Sequence, residues 1–152
     1  MTERIKVLVC ACLLGEKVRY DGGHKRDLFL NETLGSFVEW VRVCPEVDCG
    51  LPVPREAMRL VGDPKHPRLV TNGTGIDHTE RMERWAKARL EALSGLGLCG
   101  YIGKKDSPSC GMDPAGVFTR MFIERFSHLP VEEEERLADP VLCERFIHRV
   151  KA

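Results

Sequence analysis

No stretch of the chain comes near the roughly 18 consecutive apolar residues that a membrane-spanning helix needs. The apolar run that begins at Val7-Leu8-Val9 is short for a secretory signal and follows the charged opening Met-Thr-Glu-Arg-Ile-Lys. A surplus of charge of one sign is missing too. The 23 Lys and Arg balance 23 Asp and Glu, so the formal net charge is zero. A protein that holds nucleic acid by its overall field would be basic, so the balance argues against that class, although not against a local basic pocket. Internal repeats, low-complexity tracts and Gly/Ser-rich linkers are absent as well. These absences predict a single-domain cytoplasmic protein with no membrane partner.

What is present is the composition of one globular domain. Hydrophobic residues make up 43% and charged residues 30% of the 152. Domains commonly run to about 100–200 residues, and one of this length buries roughly 70% of the surface its unfolded chain exposes. Disulfide staples are not needed, yet seven cysteines occur: Cys10, Cys12, Cys44, Cys49, Cys99, Cys110 and Cys143. An odd count without a secretory signal argues against a disulfide framework. In a reducing compartment such thiols are either small buried hydrophobes or metal ligands.

Periodicity sorts the chain into strands and helices. Residues 5–10 read as a buried strand. A turn-rich segment follows from Leu14-Gly15 to Gly22-Gly23. Leu34, Phe37, Val38 and Val41 fall at helical spacing and predict a helix over 31–41, capped by Asn31 or Thr33. Arg42-Val43-Cys44 reads as a second short strand stopped by Pro45. Residues 49–56 and 62–75, rich in Gly and Pro, read as loops. Asp77 followed by Glu80 is a capping-box pattern. It opens a helix with Met82, Ala86, Leu90 and Leu93 on one stripe, ended by Gly95 and Gly97. Residues 98–102 predict a third strand, 115–126 and 140–150 two further helices, and the acidic run Glu132–Glu135 a solvated helix start. This alternation predicts an α/β, Rossmann-like domain with a mainly parallel sheet flanked by helices.

Three cysteines share one context. Cys12 follows the first strand, Cys44 ends the second, and Cys110 lies in the loop after the third. Sites in open α/β sheets form outside the carboxyl ends of the strands, so these thiols can converge. The spacing matches neither zinc-finger pairs nor the compact ferredoxin run. A scattered three-cysteine set suits an iron–sulfur cluster with one iron left open, able to polarise a soft substrate sulfur. Three unrelated buried cysteines are the plain alternative. Cys10 shares a strand face with Cys12 and either backs it, packs, or forms a dithiol switch with it; Cys49, Cys99 and Cys143 read as structural. Glu46, two residues after Cys44, can activate water beside a metal, or is a surface carboxylate. Ser107 and Ser109 can hydrogen-bond a ligand, or serve the turn around Pro108. Arg19, His24, Lys25 and Arg26, with Lys104, Lys105 and Arg55, can meet a phosphate or carboxylate, or remain solvated. Asn72-Gly73-Thr74-Gly75 is a weak candidate for an anion cradle.

Four motifs in order carry a resemblance. They are Cys12-Leu13-Leu14-Gly15 with Val18-Arg19-Tyr20-Asp21-Gly22; Cys44-Pro45-Glu46-Val47 with Gly50-Leu51-Pro52-Val53-Pro54-Arg55; Gly75-Ile76-Asp77-His78-Thr79; and Ser107-Pro108-Ser109-Cys110-Gly111. Together they resemble the thiouracil desulfidase (TudS) family across almost the whole chain. The resemblance implies an enzyme with a 4Fe-4S cluster held by Cys12, Cys44 and Cys110, one iron open. It implies a catalytic carboxylate at Glu46 and an active serine at Ser107, with Ser109 as second choice. Ser109, Arg19 and Arg55 then fall to substrate binding. The implied reaction removes sulfur hydrolytically from thiolated uracils, such as 2-thiouracil and 4-thiouridine species. It leaves the oxo base and sulfide and needs no electron donor.

Two departures bear on this. The family commonly has Ser where this chain has Cys10 and Gly where it has Cys49. Residues 129–152 resemble the junction to a second domain in longer relatives that act on thiolated tRNA. The sequence thus predicts a domain over 1–152 with a C-terminal helical extension, taking a free base, a nucleotide or a thiolated tRNA. Two readings from other classes are a non-catalytic module holding an iron–sulfur cluster or zinc, and a thiol redox protein built on Cys10 and Cys12. Glu46 and the Ser-Pro-Ser-Cys loop favour the enzyme, since neither alternative needs them.

Overall fold

The computed structural model describes residues 5–23, 26–32, 34–36, 38–112 and 115–151. Of the residues singled out above, His24, Lys25, Thr33 and Phe37 lie outside these. In chain order the elements are β1 (Ile5–Cys10), α1 (Leu28–Glu32), β2 (Val38–Val43), α2 (Pro45–Asp48), β3 (Met58–Val61) and β4 (Arg68–Thr71). They continue with α3 (Thr79–Leu93), β5 (Leu98–Gly103), α4 (Val117–Arg125), β6 (Val131–Glu133) and α5 (Pro140–Lys151). Short 3-10 turns cover Ala11–Leu14, Leu34–Ser36 and Arg136–Ala138.

Four strands form one sheet in the order β2-β1-β5-β6, and every pair in it is parallel. The fold is therefore the α/β, mainly parallel domain that the alternation predicts. β1 is central, and Val7, Leu8 and Val9 are all fully buried. That unbroken apolar run is the mark of a strand covered on both faces. α4 packs Phe118 and Phe122 around Tyr101 of β5, with ring centroids 5.7 and 4.8 Å away. Phe146 and Val150 of α5 are buried in the same core. Among the described residues no helix is long and apolar enough to cross a membrane.

The structure corrects four local expectations. The helix predicted over 31–41 stops at Glu32, a single 3-10 turn covers Leu34–Ser36, and β2 already begins at Val38. Val38, Trp40 and Val43 fit a strand on side-chain shape, and six residues of parallel pairing to β1, Ile5↔Val38 through Cys10↔Val43, override the helical spacing. The expected loop 62–75 contains β4, which pairs antiparallel with β3. Gly62, Pro64 and Pro67 are the turn of that hairpin. Its four-residue strands carry too little pattern to stand out, and Leu69 holds it to Met82 and Val117 in a small second core. Glu80 does not close a capping box; its carboxylate pairs with Arg68, while Asp77 Oδ1 accepts from Thr79 N at 2.9 Å. Finally, only the end of the acidic run starts a helical turn: Glu132 and Glu133 belong to β6, and Glu135 is the N-cap of the 3-10 turn Arg136–Ala138.

Candidate active site

Because β2, β1 and β5 are neighbours and parallel, the segments that follow them meet at one end of the sheet. Cys12 sits in the 3-10 turn after β1, closed by Gly15 in the left-handed region at φ 95°. Cys44 precedes α2, whose first residue is Pro45 and whose second is Glu46; Cys44 N donates to Asp48 Oδ2 at 3.0 Å, and Arg42 holds Asp48 in turn. The loop from Lys104 to Met112 after β5 carries Ser107, Ser109 and Cys110. The three segments enclose a cavity of about 370 Å³. Its lining includes every residue predicted for the site: Cys12, Cys44, Cys110, Glu46, Ser107, Ser109, Arg19 and Arg55.

Glu46 has the most defined surroundings. Arg55 Nε donates to its Oε1 at 2.7 Å, and Ser109 Oγ donates to its Oε2 at 3.1 Å. The ion pair is shielded, with the Arg55 side chain 7% and the Glu46 side chain 13% exposed. The same guanidinium donates from Nη2 to Val18 O at 2.8 Å and from Nη1 to Pro52 O at 3.2 Å. Arg55 thus ties the loop after β1, the loop after α2 and the carboxylate together. A carboxylate offers about four acceptor positions, so each Glu46 oxygen keeps room for one water. Ser109 Oγ lies 3.0 Å from Ser107 Oγ, which accepts from Cys110 N at 3.1 Å and from the Cys110 thiol at 3.3 Å. A continuous path of hydroxyls therefore joins Glu46 to Cys110.

The thiols are unequal. Cys10 Sγ is 2.9 Å from Cys110 Sγ and 3.8 Å from Cys12 Sγ, and it lines the same cavity. Its hydrogen bonds to Cys110 and Cys12, with burial, push its pKa well up. The bond from Cys10 pulls Cys12 down, opposed by burial and helped by the positive charges of Lys104 and Arg19. Burial raises Cys44 to about 12. Cys49 is turned elsewhere, its thiol donating to Glu46 O at 3.2 Å. Cys143 is buried in the main core and Cys99 packs against it. Among the described residues no three His, Cys, Asp or Glu groups converge as a single metal ion would require.

The turn at 72–75 does bind an anion, but it is the chain's own. Glu56 accepts from Gly73 N and, at 2.8 Å, from Thr74 N. Two glycines shape the site loop instead. A Cβ on Gly103 would run into the carbonyl of Cys110, and one on Gly116 into that of Ser109. Gly103→Ala is therefore expected to displace the loop at a cost of about 1–3 kcal/mol. A thermal melt with thiol-labelling of Cys110 checks this; a wild-type melting temperature with wild-type labelling would refute it.

The family model for 2-thiouracil desulfurase matches residues 7–134 of this chain. The chain belongs to the 2-thiouracil desulfurase family. The matched span of this desulfurase-family chain takes in the whole cavity wall, from β1 to just past β6. The solved structure of the [4Fe-4S]-dependent thiouracil desulfidase TudS is similar to it at 30% identity and a TM-score of 0.73, covering 93% of this chain and 99% of that one. YbbK of Bacillus subtilis (strain 168), an uncharacterized protein, is 31% identical over 110 residues, 69% of this chain and 72% of YbbK. Two site features escape a reading of sequence motifs. The Arg55–Glu46 pair joins α2 to the loop that follows it, and Glu133 and Glu134 reach the site loop from the end of β6. Neither carries a local signal: β6 is only Val131-Glu132-Glu133, part of an acidic run, and nothing in the sequence marks Arg55 as turning to Glu46.

Proposed function

We propose that this protein is a 4Fe-4S-dependent desulfidase that hydrolyses the C=S bond of a thiolated uracil base or nucleotide to C=O and sulfide. The observation that carries this is the single cavity where Cys12, Cys44 and Cys110 meet a carboxylate fixed by Arg55 and Ser109. The donor set fits the group: Cys12, Cys44 and Cys110 are buried thiols on three separate segments, with the Cys10 thiol beside them. They lack the closely paired Cys-x-x-Cys or Cys/His sets of structural zinc sites, whereas thiolates alone are the usual ligands of a cubane. When bound there, a 4Fe-4S cluster supplies an iron without a protein ligand, a Lewis acid with affinity for sulfur.

The chain's own residues supply the proton chemistry. Glu46 takes a proton from the water that adds to the thione carbon. Arg55 keeps that carboxylate turned to the cavity. Ser109 and Ser107 pass the proton along the 3.1 and 3.0 Å contacts toward the departing sulfur, which leaves as hydrosulfide while the carbon-bound hydroxyl gives its remaining proton to Glu46 and becomes the carbonyl. Arg19, 28% exposed at the rim, meets the uracil ring or a phosphate. Arg55 is placed to act on Glu46 first, since its side chain is almost fully enclosed. The cavity volume and the zero net charge favour a base or nucleotide over tRNA. The chain acts as one domain, because α5 shares the main core. Its free thiols fit the reducing cytoplasm.

The test is anaerobic. The cluster is reconstituted, and 2-thiouracil and 4-thiouridine monophosphate are added separately while thione absorbance and sulfide are followed. Cluster-dependent sulfide release matching thione loss is expected. A fully loaded chain that turns over neither compound would overturn the reading.

A further inference from the structure

We infer that Glu133 and Glu134 position the loop that carries Ser107, Ser109 and Cys110, by clamping its two ends. The inference rests on the desulfidase reading for why that loop matters, and on geometry for how it is held. Glu133 Oε2 accepts from Met112 N at 2.8 Å. Glu134 Oε1 accepts from Lys105 N at 2.8 Å and lies 3.6 Å from Lys104 Nζ. Successive residues at a strand end point to opposite sides, and the two carboxylates reach opposite ends of the loop.

Both are hidden from water: Glu133 is 6% exposed, and the Glu134 side chain is 11% exposed. Burying a carboxylate is costly unless it is bonded and paired, and such pairs add little stability over an apolar core. What they add here is position. Glu133 is in register with Gly103, the residue at the base of the loop. Between the clamped amides the loop makes its own tight turn, with Asp106 at φ 65° and Gly111 N donating to Ser107 O at 2.9 Å. The hydroxyl path from Glu46 tolerates shifts of only a few tenths of an ångström before its contacts leave hydrogen-bond range. From the same side Lys105 Nζ also meets Glu135 at 2.7 Å, but that pair is exposed and holds a side chain rather than the loop backbone.

The experiment is hydrogen exchange on the cluster-free full chain, for wild type and the variants Glu133→Ala, Glu133→Gln, Glu134→Ala and Glu134→Gln. A Gln keeps an oxygen for the amide and an Ala does not. The Ala variants are expected to exchange amides across 105–112 about tenfold or more faster, the effect of losing a hydrogen bond to a charged group. Exchange in α3 stays as in wild type, and the Gln variants stay near wild type throughout. After reconstitution, kcat falls with the Ala variants and largely recovers with Gln. Unchanged loop exchange in both Ala variants would overturn the inference. So would a uniform rise across the loop and α3, which is what lost stability alone produces. Loop-specific exchange in a chain whose wild type desulfurates neither thiouracil probe would uphold the clamp and overturn the function proposed.

Discussion

Glu46→Gln is expected to cut turnover by about 10²–10⁴-fold, the usual worth of a general base, without loss of the cluster. Gln is nearly the same shape and its oxygen still accepts from Arg55. The charge that draws a proton from water is what disappears. Glu46→Ala is a harsher change, because it strands the Arg55 guanidinium at 7% exposure. Removing one partner of a buried pair costs about 3–5 kcal/mol. The Ala variant should therefore lose stability as well as rate, and the Gln variant mainly rate. Arg55→Met tests the other half. It should lower kcat through misplacement of the carboxylate, and its effect should not add to that of Glu46→Gln, since the two residues act as a unit. The measurements are sulfide release per loaded chain, iron content and thermal melts. Full activity in a loaded Glu46→Gln protein would remove Glu46 from the mechanism, and additive losses in the double variant would remove Arg55 from its support.

What the sequence made legible follows the range of the interactions involved. β1 and α3 were readable because their signals are local: an unbroken apolar run and an apolar stripe ending at glycine. β2 is illegible because Leu34, Val38 and Val41 fall at helical spacing, while the pairing that makes 38–43 a strand comes from residues 5–10. The β3–β4 hairpin was hidden for the same reason, being fastened by Met82 and Val117 rather than by its own pattern. The gathering of Cys12, Cys44 and Cys110 at one end of the sheet is legible because each follows a strand, and parallel strands present their carboxyl ends together. The partners of Glu46 did not, since nothing local tells whether a loop arginine turns toward a carboxylate or toward water. Glu133 and Glu134 show the limit most clearly. Acidic runs are usually solvated, and only the parallel pairing of β6 to β5 turns this one inward.

Replacing each of Cys12, Cys44 and Cys110 by Ser is expected to cost the chain its cluster, whereas Cys10→Ser should keep it. The contrast matters because Cys10 lies nearer to Cys110, at 2.9 Å, than it does to Cys12, at 3.8 Å, and all three line the cavity. The family resemblance implies Cys12, Cys44 and Cys110 as ligands, while the 2.9 Å contact brings Cys10 close enough to compete. Ser is the informative replacement at position 10. Its hydroxyl is smaller than the thiol it replaces and can still donate toward Cys12, so packing and hydrogen bonding survive while a soft ligand is withdrawn. The four variants are compared by iron and sulfide content after identical anaerobic reconstitution, with the melting temperature of each cluster-free chain as a control for folding. Iron loading near wild type in Cys10→Ser, with loss in the other three, fixes the ligand set and leaves one iron open for substrate. Loss in Cys10→Ser with retention in Cys12→Ser would move the ligand to Cys10. Loss in all four, with every chain folded, would mean a cluster closed by four thiols, and the open-iron hydrolysis proposed for this cavity would fall with it.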